Sequence, residues 1–499
     1  MKKNSNHWWL LAVLCIGYVF HAEAKEPVPA RRMDFSEALD LTFRNSHVLK
    51  QAEYLRAQKA QEARATKGLY FPNIGIIAEY VEMSDPVHLD LTPVKDAIVP
   101  LYQTLSQYGK FGDIPGLSDD VATQMIRGKL TQGLAGIENG QWDEMIQKKQ
   151  FGTVAATFQW PLFAGGKIRA ANKAATIDRT DADDITRQKE GEVITELVER
   201  YYGLNLAQQA VMVRLEVLKG LQQHLDDAGK MESEGLIAHA EVLHARVFHE
   251  QAVRELSKAR QTAEILEQAL QSTLVLEDSI PIDPVSDLFY LDTLAPETHY
   301  IDLAKKNNPS LNEVDTKQKL SIQNYHAQRA EFFPTVAIQG TYNIANKDLS
   351  PYAPDWIVGV GLKWTLFDWT TRFNKAKAAS LRTKQVEEVR EKASSDVSTL
   401  VDKLYHELKM YHEQLTELEA ALSYAEEYLD VREKEFHQEM SNSTEVVDAR
   451  LALANVRIER LQVLYSYDLT LAKLLETTGT PREFTVYAHQ PSVHTEHFH

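Results

Sequence analysis

Cysteine is nearly absent from this chain, and so are long apolar segments. The one cysteine, Cys15, precedes residue 25, so the rest of the chain offers no disulfide, thiol nucleophile or thiolate metal ligand. A mean hydropathy of -0.35 argues against a helical protein that crosses a membrane many times. Basic residues are outnumbered, with 54 against 71 acidic residues and a net charge of -17. This balance disfavours a nucleic-acid-binding protein, because phosphate backbones are bound by basic surfaces.

The longest apolar run, residues 8–20, follows Lys2 and Lys3 and ends shortly before Ala22-Glu23-Ala24. A basic start, a short apolar core and small residues at the end are typical of a secretory signal peptide. We therefore predict a signal peptide at residues 1–24 and export of the remainder. Leu14 is too large for the residue that usually precedes a lipidated cysteine, so lipidation of Cys15 is disfavoured.

The remainder of the chain carries one sequence pattern twice. One set of residues recurs 262 positions later: Asn45, Leu49, Phe71 and Pro72 return as Asn307, Leu311, Phe333 and Pro334. A second set recurs 204 positions later, including Trp160, Leu162, Phe163, Glu241 and Arg246, which return as Trp364, Leu366, Phe367, Glu445 and Arg450. The shift falls from 262 to 204 positions between Pro72 and Trp160. The first copy therefore contains one large insertion between these two residues. We predict a first repeat at 25–275, a proline-rich connection at 276–297, a second repeat at 298–480 and a tail at 481–499.

Each repeat contains two segments in which apolar and polar residues alternate. They predict strands at about residues 71–81, 151–162, 334–344 and 356–366, with an external insertion at about 82–150 between the first two. Each segment has about the length that a tilted strand needs to cross a bilayer, and aromatic residues near the strand ends suit the lipid–water boundary. A soluble antiparallel sheet with one buried face would show the same alternation. The predicted export, and the very long helices between the strands, favour the membrane.

Long helices follow the strands in both repeats. Residues 166–231 and the matching residues 370–439 contain no proline and are rich in helix-forming residues. A helix of about 65 residues is on the order of 100 Å long, so one globular core cannot cover it and neighbouring helices must. Shorter helices are predicted at 36–69, 240–271, 301–330 and 444–476.

Four membrane strands cannot close a barrel by themselves. An open sheet edge in lipid leaves backbone groups without hydrogen bonds, at several kcal/mol each. Two copies would give eight strands and a lumen filled by side chains, whereas three copies would give twelve strands with room for a conduit. The residues that alternate with the apolar ones are mostly small or polar, which suits a water-filled interior. The pattern therefore favours a homotrimer over a dimer.

These motifs, in this order and twice over, resemble the TolC family of outer-membrane efflux proteins. The resemblance is carried by Ser36-Glu37-Ala38-Leu39 with Asn45, Phe71-Pro72 and Phe333-Pro334, the passage from Trp160 to Gly166, Gly235-Leu236 before Glu241-Val242, and the segment Thr444 to Arg450. It implies a mainly α protein with a membrane β part: a trimeric, twelve-stranded β-barrel in the cell outer membrane, continued by a long periplasmic α-helical barrel. It also implies partnership with a periplasmic adaptor and an inner-membrane pump, in efflux or type I secretion.

Candidate functional residues lie at the two turns between long helices. Glu445 and Asp448 are three positions apart and share a helix face, so a trimer would hold them as rings of carboxylates that concentrate cations. The family resemblance implies that both, together with Glu241, form the periplasmic entrance. An equally weighted alternative for Glu445 is a structural one, with Ser443 or Thr444 as the N-cap and Glu445 near the positive helix end.

The sequence departs from the family at the second of these turns. The usual glycine is replaced by Glu439, and the arginine and tyrosine that latch the closed entrance fall at Ser441 and Phe436. These two side chains cannot make the same charge-assisted or hydroxyl hydrogen bonds. We therefore expect Phe436 and Ser441 to be gating positions in a closed state that is held differently.

No catalytic motif is present, so we expect no enzyme, no cofactor and no metal site. The four histidines between 489 and 499 are more typical of a disordered terminus than of a metal site. Two alternatives to an export channel remain. A periplasmic adaptor also has long helical hairpins but should carry Gly-rich lipoyl-like halves, which are not found. In a structural coiled-coil envelope protein, the alternating strands would pack against helices.

Overall fold

The structure is a computed structural model, and it describes residues 30–276, 280–489 and 493–496. The predicted signal peptide lies outside the described residues. The helices of the described part are α1 Phe35–Asn45, α2 His47–Lys67, α3 Thr92–Tyr108, α4 Asp119–Asn139, α5 Lys167–Ser233, α6 His239–Leu274, α7 Glu297–Asn307, α8 Pro309–Ala330, α9 Thr371–His437, α10 Ser443–Thr477 and α11 Phe484–Tyr487. Its strands are β1 Arg31–Met33, β2 Asn73–Glu82, β3 Val87–Asp90, β4 Asp143–Gln147, β5 Gln150–Ala164, β6 Ile282–Pro284, β7 Leu288–Leu291, β8 Thr335–Lys347, β9 Trp356–Lys363 and β10 Val493–Glu496.

The duplication in the sequence is reproduced in the helices. α1 and α7 begin and end 262 positions apart, and the long helices α5 and α9 begin and end 204 positions apart. The shifts are those found from the residues alone. The predicted duplicated unit of helices and strands is therefore confirmed.

Two of the predicted helices are broken, and the two breaks are equivalent. The predicted helix 36–69 is interrupted at Ser46 and the predicted helix 301–330 at Asn308. Ser46 Oγ accepts a hydrogen bond from the Leu49 N–H at 3.3 Å, and Asn308 Oδ1 accepts one from the Leu311 N–H at 3.0 Å. A side-chain acceptor at this position replaces the missing backbone acceptor and starts a new helix. Each of the two predicted helical stretches therefore consists of two helices.

The chain divides into two compact units that cut across the repeats. Unit 1 consists of the described residues within Met1–Ala57, Thr180–Thr316 and Glu388–His499, and unit 2 of Gln58–Arg179 and Lys317–Glu387. Each unit takes segments from both repeats. The division of the sequence into repeats therefore describes the duplication of the chain, and the repeat boundaries stay a prediction.

Unit 2 contains the four predicted strands as one antiparallel sheet in the order β2-β5-β8-β9. The register places one mainly apolar set in rows across the sheet, for example Ile74, Phe158, Gly340 and Val358. The next row on the other face is polar or small: Asn73, Gln159, Gln339 and Gly359. β9 ends at Lys363 rather than at 366, because its partner there, Thr335, is the first residue of β8.

The predicted external insertion folds as a small subdomain, which we name the cap (residues 83–149). It consists of the β3–β4 ladder and the packed helices α3 and α4. Polar contacts hold it to the loop between β8 and β9. Lys148 Nζ lies 2.5 Å from Asp348 Oδ1, Gln147 Nε2 donates to the Asp348 carbonyl at 2.9 Å, and Tyr352 donates to Glu144 Oε1 at 3.1 Å. The cap is thus fixed at the sheet end where β2 ends and β5 begins.

Unit 1 is built on long helices around an aromatic core. Phe35, Tyr201, Tyr202, Phe289 and Phe484 are buried against one another, with ring centroids 5.2 to 6.3 Å apart. The Tyr201 hydroxyl donates to the Met33 carbonyl and accepts from the Ser286 N–H, so it joins the helices to the segment between the repeats. That segment, predicted as irregular, contributes β6 and β7, which pair with β1 and β10. None of the described helices is long and apolar enough to cross a membrane.

Asp468 in α10 provides a test of this core. Its side chain is fully buried, Oδ2 accepts from the Phe289 N–H at 3.3 Å, and burial raises the pKa of the carboxyl well above its usual range. The folded state therefore keeps a proton that the unfolded state loses, so the contribution of Asp468 to stability is fully present below about pH 4 and is lost as the pH rises towards the raised pKa. We expect Asp468→Asn to increase the stability at pH 7.5 by about 1–3 kcal/mol, and by less at pH 5.

Thermal unfolding at the two pH values measures this effect. Asp430→Asn on the exposed side of α9, where Asp430 pairs with Lys434, is the control and should change little. The opposite result is that Asp468→Asn decreases the stability, and more so at pH 7.5 than at pH 5. It would show that the charged carboxylate stabilises the fold and would contradict a neutral Asp468.

Candidate functional site

The two turns between the long helices of unit 1 share one backbone conformation. The α5–α6 turn has Gly235 at φ 78°, and the α9–α10 turn has the equivalent residue, Glu439, at φ 63°. This left-handed conformation is favourable for glycine and uncommon for other residues. The replacement of glycine noted in the sequence therefore leaves the turn geometry unchanged and adds local strain to the second turn.

Glu445 lies at the start of α10 and is held by three donors. Its Oε2 accepts from Arg432 Nη1 at 2.8 Å and from Ser441 Oγ at 2.9 Å, while Asn442 Nδ2 donates to Oε1 at 3.2 Å. Asn442 is the N-cap of α10, because its Oδ1 accepts a hydrogen bond from the Glu445 N–H at 3.0 Å. The expectation that Ser443 or Thr444 caps this helix was therefore wrong, and the cap lies just before them. A carboxylate in the first turn of a helix also interacts favourably with the helix dipole.

The structure brings Glu241 to the same place and leaves Asp448 apart. Glu241 Oε2 accepts from the Ser443 N–H at 3.3 Å, so the first turns of α6 and α10 are in contact. Asp448 is exposed one turn further along α10, and its side chain has no hydrogen bond or ion pair within the part of the chain that is described. Two of the three predicted entrance carboxylates are thus engaged within the chain, and the third is open to solvent ions.

The two predicted gating positions differ in their surroundings. Phe436 is only 3% exposed and packs with Ala228, Val242 and Val446 in a small apolar cluster that joins the helix ends. Ser441 is half-buried and donates to Glu445. Within one chain, Phe436 is therefore a packing residue and Ser441 a positioning residue for Glu445. Gating by either stays a prediction.

The pattern of the sequence did not single out Arg432. Its guanidinium contacts Glu435 and Glu445 at 2.9 and 2.8 Å and lies 5.2 Å from the centre of the Tyr428 ring. The pair with Glu445 spans the turn between α9 and α10. The sequence shows only that two residues of opposite charge stand on either side of the turn. Their pairing can be recognised only when the antiparallel register of α9 and α10 is known.

His224 is the buried titratable group of this region. Its Nε2 lies 2.7 Å from Ser443 Oγ, and its ring is 4.6 Å from the Phe436 ring. Burial, followed by the positive charge of Arg450, lowers the pKa of His224 to about 4, while Asp227 opposes the shift. His224 is thus neutral at neutral pH and links α5 to the start of α10.

One group of side chains elsewhere in unit 1 has the composition of a metal site. Carboxylate and imidazole atoms of Glu297, Asp402 and His406 lie within 4.8 Å of one another. Asp402 and His406 are also one helical turn apart, with Oδ1 and Nε2 at 3.3 Å, which is an ordinary ion pair when the imidazole is protonated. The cluster could hold a divalent metal through one imidazole and two carboxylates, and the ion pair accounts equally well for its geometry.

The sequence profile of the outer membrane efflux protein family matches residues 143–274 and 300–480, more than half of the chain. The chain belongs to this family. The resemblance derived above from the repeated motifs is therefore confirmed. The gap between the matched segments falls on the connection between the repeats.

Relatives and solved structures agree with this assignment. Protein CyaE of Bordetella pertussis is 23% identical over 269 residues, so the match spans 51% of this chain and only about half, 55%, of that curated relative. The Campylobacter jejuni CmeC outer membrane channel is similar with a TM-score of 0.68 at 13% identity, over 90% of this chain and 86% of that one. The Neisseria gonorrhoeae MtrE outer membrane channel in its open state has a TM-score of 0.66 at 14% identity, over 90% and 89%. At these identities the structures show the fold, and the predicted fold class of long helices with a four-stranded sheet is confirmed.

His224 makes the stability of the helix turns dependent on pH. Because its folded pKa of about 4 lies below the ordinary value of 6.5, only the unfolded form gains the proton between these values. The contribution of His224 to stability is thus fully present above about pH 6.5 and is lost towards pH 4, by at most about 3 kcal/mol. We expect amide hydrogen exchange at residues 431–447 to speed up from pH 7 to pH 5, after correction for the intrinsic rate.

His224→Asn should weaken this pH dependence. His239→Asn is the matched control, because His239 is a histidine of the same region that is exposed and pairs with Glu232. An equal pH dependence in wild type and His224→Asn would contradict the role of His224.

Proposed function

We propose that this protein is an outer-membrane channel of a tripartite efflux or type I secretion system. Substrates would pass passively through it from a periplasmic adaptor and inner-membrane pump to the exterior. The strands cross the cell outer membrane, and the long helices lie in the periplasm. The observation that carries the proposal is the apolar face of the sheet, which continues across all four strands and is open to solvent.

The exposure of this face is unusual for a water-soluble sheet. Ile74 and Ile76 on β2 are 73% and 71% exposed, and Val358, Val360 and Leu362 on β9 are 62–69% exposed. A soluble sheet buries its apolar face against other elements. Large contiguous apolar surfaces mark contacts with lipid or with other proteins. Here the opposite face is polar or small, so lipid outside and water inside account for both faces.

The edges of the sheet support a homotrimer. β2 and β9 are each paired on one side only, and unpaired backbone groups in hydrocarbon cost several kcal/mol each. Further copies of the chain can pair β9 of one with β2 of the next. Three copies give twelve strands and a water-filled interior, whereas two give eight strands and a filled one. The polar face then lines a conduit with little selectivity for its substrates. This suits a channel whose substrates are chosen by a pump.

The cluster at the helix turns supports a periplasmic entrance. Glu241, Glu445 and Asp448 place three carboxylates at the end of each chain's helices, and three-fold symmetry would turn each into a ring. Arg432 neutralises part of this charge within the chain through Glu445. Asp448, which is exposed, would carry most of the attraction for cations.

Val358→Arg tests the membrane assignment of the sheet. Arginine on the lipid face near the middle of the bilayer should cost about 2–4 kcal/mol, so we expect less trimer that resists dissociation in detergent and less protein in the outer membrane. Gly359→Arg is the matched control: it is the next residue on the same strand and faces the other side, and a side chain there meets open space. It should assemble normally. Equal behaviour of the two variants would argue against a lipid-facing sheet.

Asp448→Asn tests the entrance. In planar bilayers under a salt gradient, we expect the preference for cations over anions to fall several-fold, because a ring of solvent-exposed carboxylates is removed. Single-channel conductance and trimer yield should stay close to wild type. Asp430→Asn, on the exposed side of α9 and paired with Lys434, is the control. An unchanged reversal potential with Asp448→Asn would exclude Asp448 from the narrow part of the conduit.

A further inference from the structure

Helix α3 of the cap carries an exposed apolar stripe. Val94, Leu101 and Tyr108 recur at every seventh position and are 46%, 56% and 74% exposed. Seven positions are almost two full helical turns, so each of these side chains is rotated by only about 20° from the one before it. Ala97 and Thr104 fall between them on the same side. These are the a and d positions of a heptad, the pattern by which helices pack together.

The rest of the cap does not use this stripe. α3 packs on α4 through a different side, with Ile98, Tyr102 and Leu105 half-buried, while Ala122 of α4 is fully buried. No charged residue occurs between Ala97 and Gly109. An exposed helix normally carries charged residues on its outer side, so a charge-free apolar stripe indicates a partner surface.

Symmetry identifies the partner, if the sheet is completed by copies of this chain as proposed above. The cap is joined to the sheet at the Glu82–Gln150 rung and held to the β8–β9 loop by Lys148 and Gln147. Every copy would therefore carry its α3 at the same end of the barrel, around the same axis. Around a three-fold axis, each of three identical helices contacts its two neighbours through the two flanks of one stripe, as in a parallel three-stranded coiled coil, so one heptad stripe on each copy suits that arrangement.

We propose that the α3 stripes of three copies pack against one another and form a lid over the outer mouth of the channel. The lid is an interface between copies of this chain, and it rests on the proposed function. Val94, Leu101 and Tyr108 are its central residues. The conduit below it would open outwards only when the three helices separate.

Cysteine cross-linking in membranes tests the lid directly. The full chain carrying Cys15→Ser and Leu101→Cys has a single thiol, and a short bis-maleimide can join two neighbouring copies. Since only two of three equivalent thiols can pair, we expect as much as two of every three copies in a covalent dimer and the rest as monomer. Gln107→Cys, also with Cys15→Ser, is the matched control, because Gln107 is exposed on the same helix about 120° away from Leu101. It should give several-fold less dimer.

Trimer migration in detergent, measured on the same samples without cross-linker, separates the possible outcomes. Trimers in both variants with no more dimer from Leu101→Cys than from Gln107→Cys would overturn the lid and leave the channel proposal standing; the stripe would then belong to another kind of partner. Absence of trimer in wild type and both variants would overturn the channel proposal and the lid with it.

A second variant tests whether the lid closes the mouth. Val94→Glu with Leu101→Glu places carboxylates of three copies against one another, so the helices should separate while the sheet is unchanged. We expect a several-fold increase in the time-averaged conductance of reconstituted trimers. Unchanged conductance, in trimers that assemble normally, would show that the stripes do not occlude the conduit.

Discussion

The backbone of the outer strands sets the main constraint on this molecule. β2 and β9 each present a row of N–H and C=O groups with no partner within the sheet, and hydrocarbon cannot supply one. Lipid would therefore stabilise the apolar face of this sheet but destabilise its two edges. Association with further copies, as proposed above, would satisfy both requirements.

Much of this architecture could be predicted from the spacing of residues in the sequence. The alternation along β9, with Val358, Val360 and Leu362 on one side, depends only on the two-residue period of a strand. The two constant shifts between repeated motifs identified equivalent segments, and the helices repeat both shifts. Such patterns are local or periodic, so no knowledge of the tertiary structure is needed to read them.

Other features depend on contacts that periodicity does not encode. Ser46 and Asn308 are compatible with a helix, and only their side-chain hydrogen bonds to residues three positions later mark them as breaks. Asn442 rather than Ser443 caps α10, because several neighbouring residues are equally good caps. Arg432 meets Glu445 across a turn, and the stripe on α3 becomes apparent only once α4 is known to cover a different side. The candidate entrance carboxylates came from family resemblance, and their different engagement was visible only in the structure.

The Glu82–Gln150 rung has a practical consequence. These two residues are directly opposite in the ladder, and Gln150 donates to Glu82 at 3.2 Å. Both ends of the cap therefore emerge at neighbouring points, about 5 Å apart. Any foreign domain whose own termini lie close together could be grafted at this junction without disturbing the strand pairing beneath it. In an outer-membrane channel as proposed above, the scaffold would then present the foreign domain outside the cell.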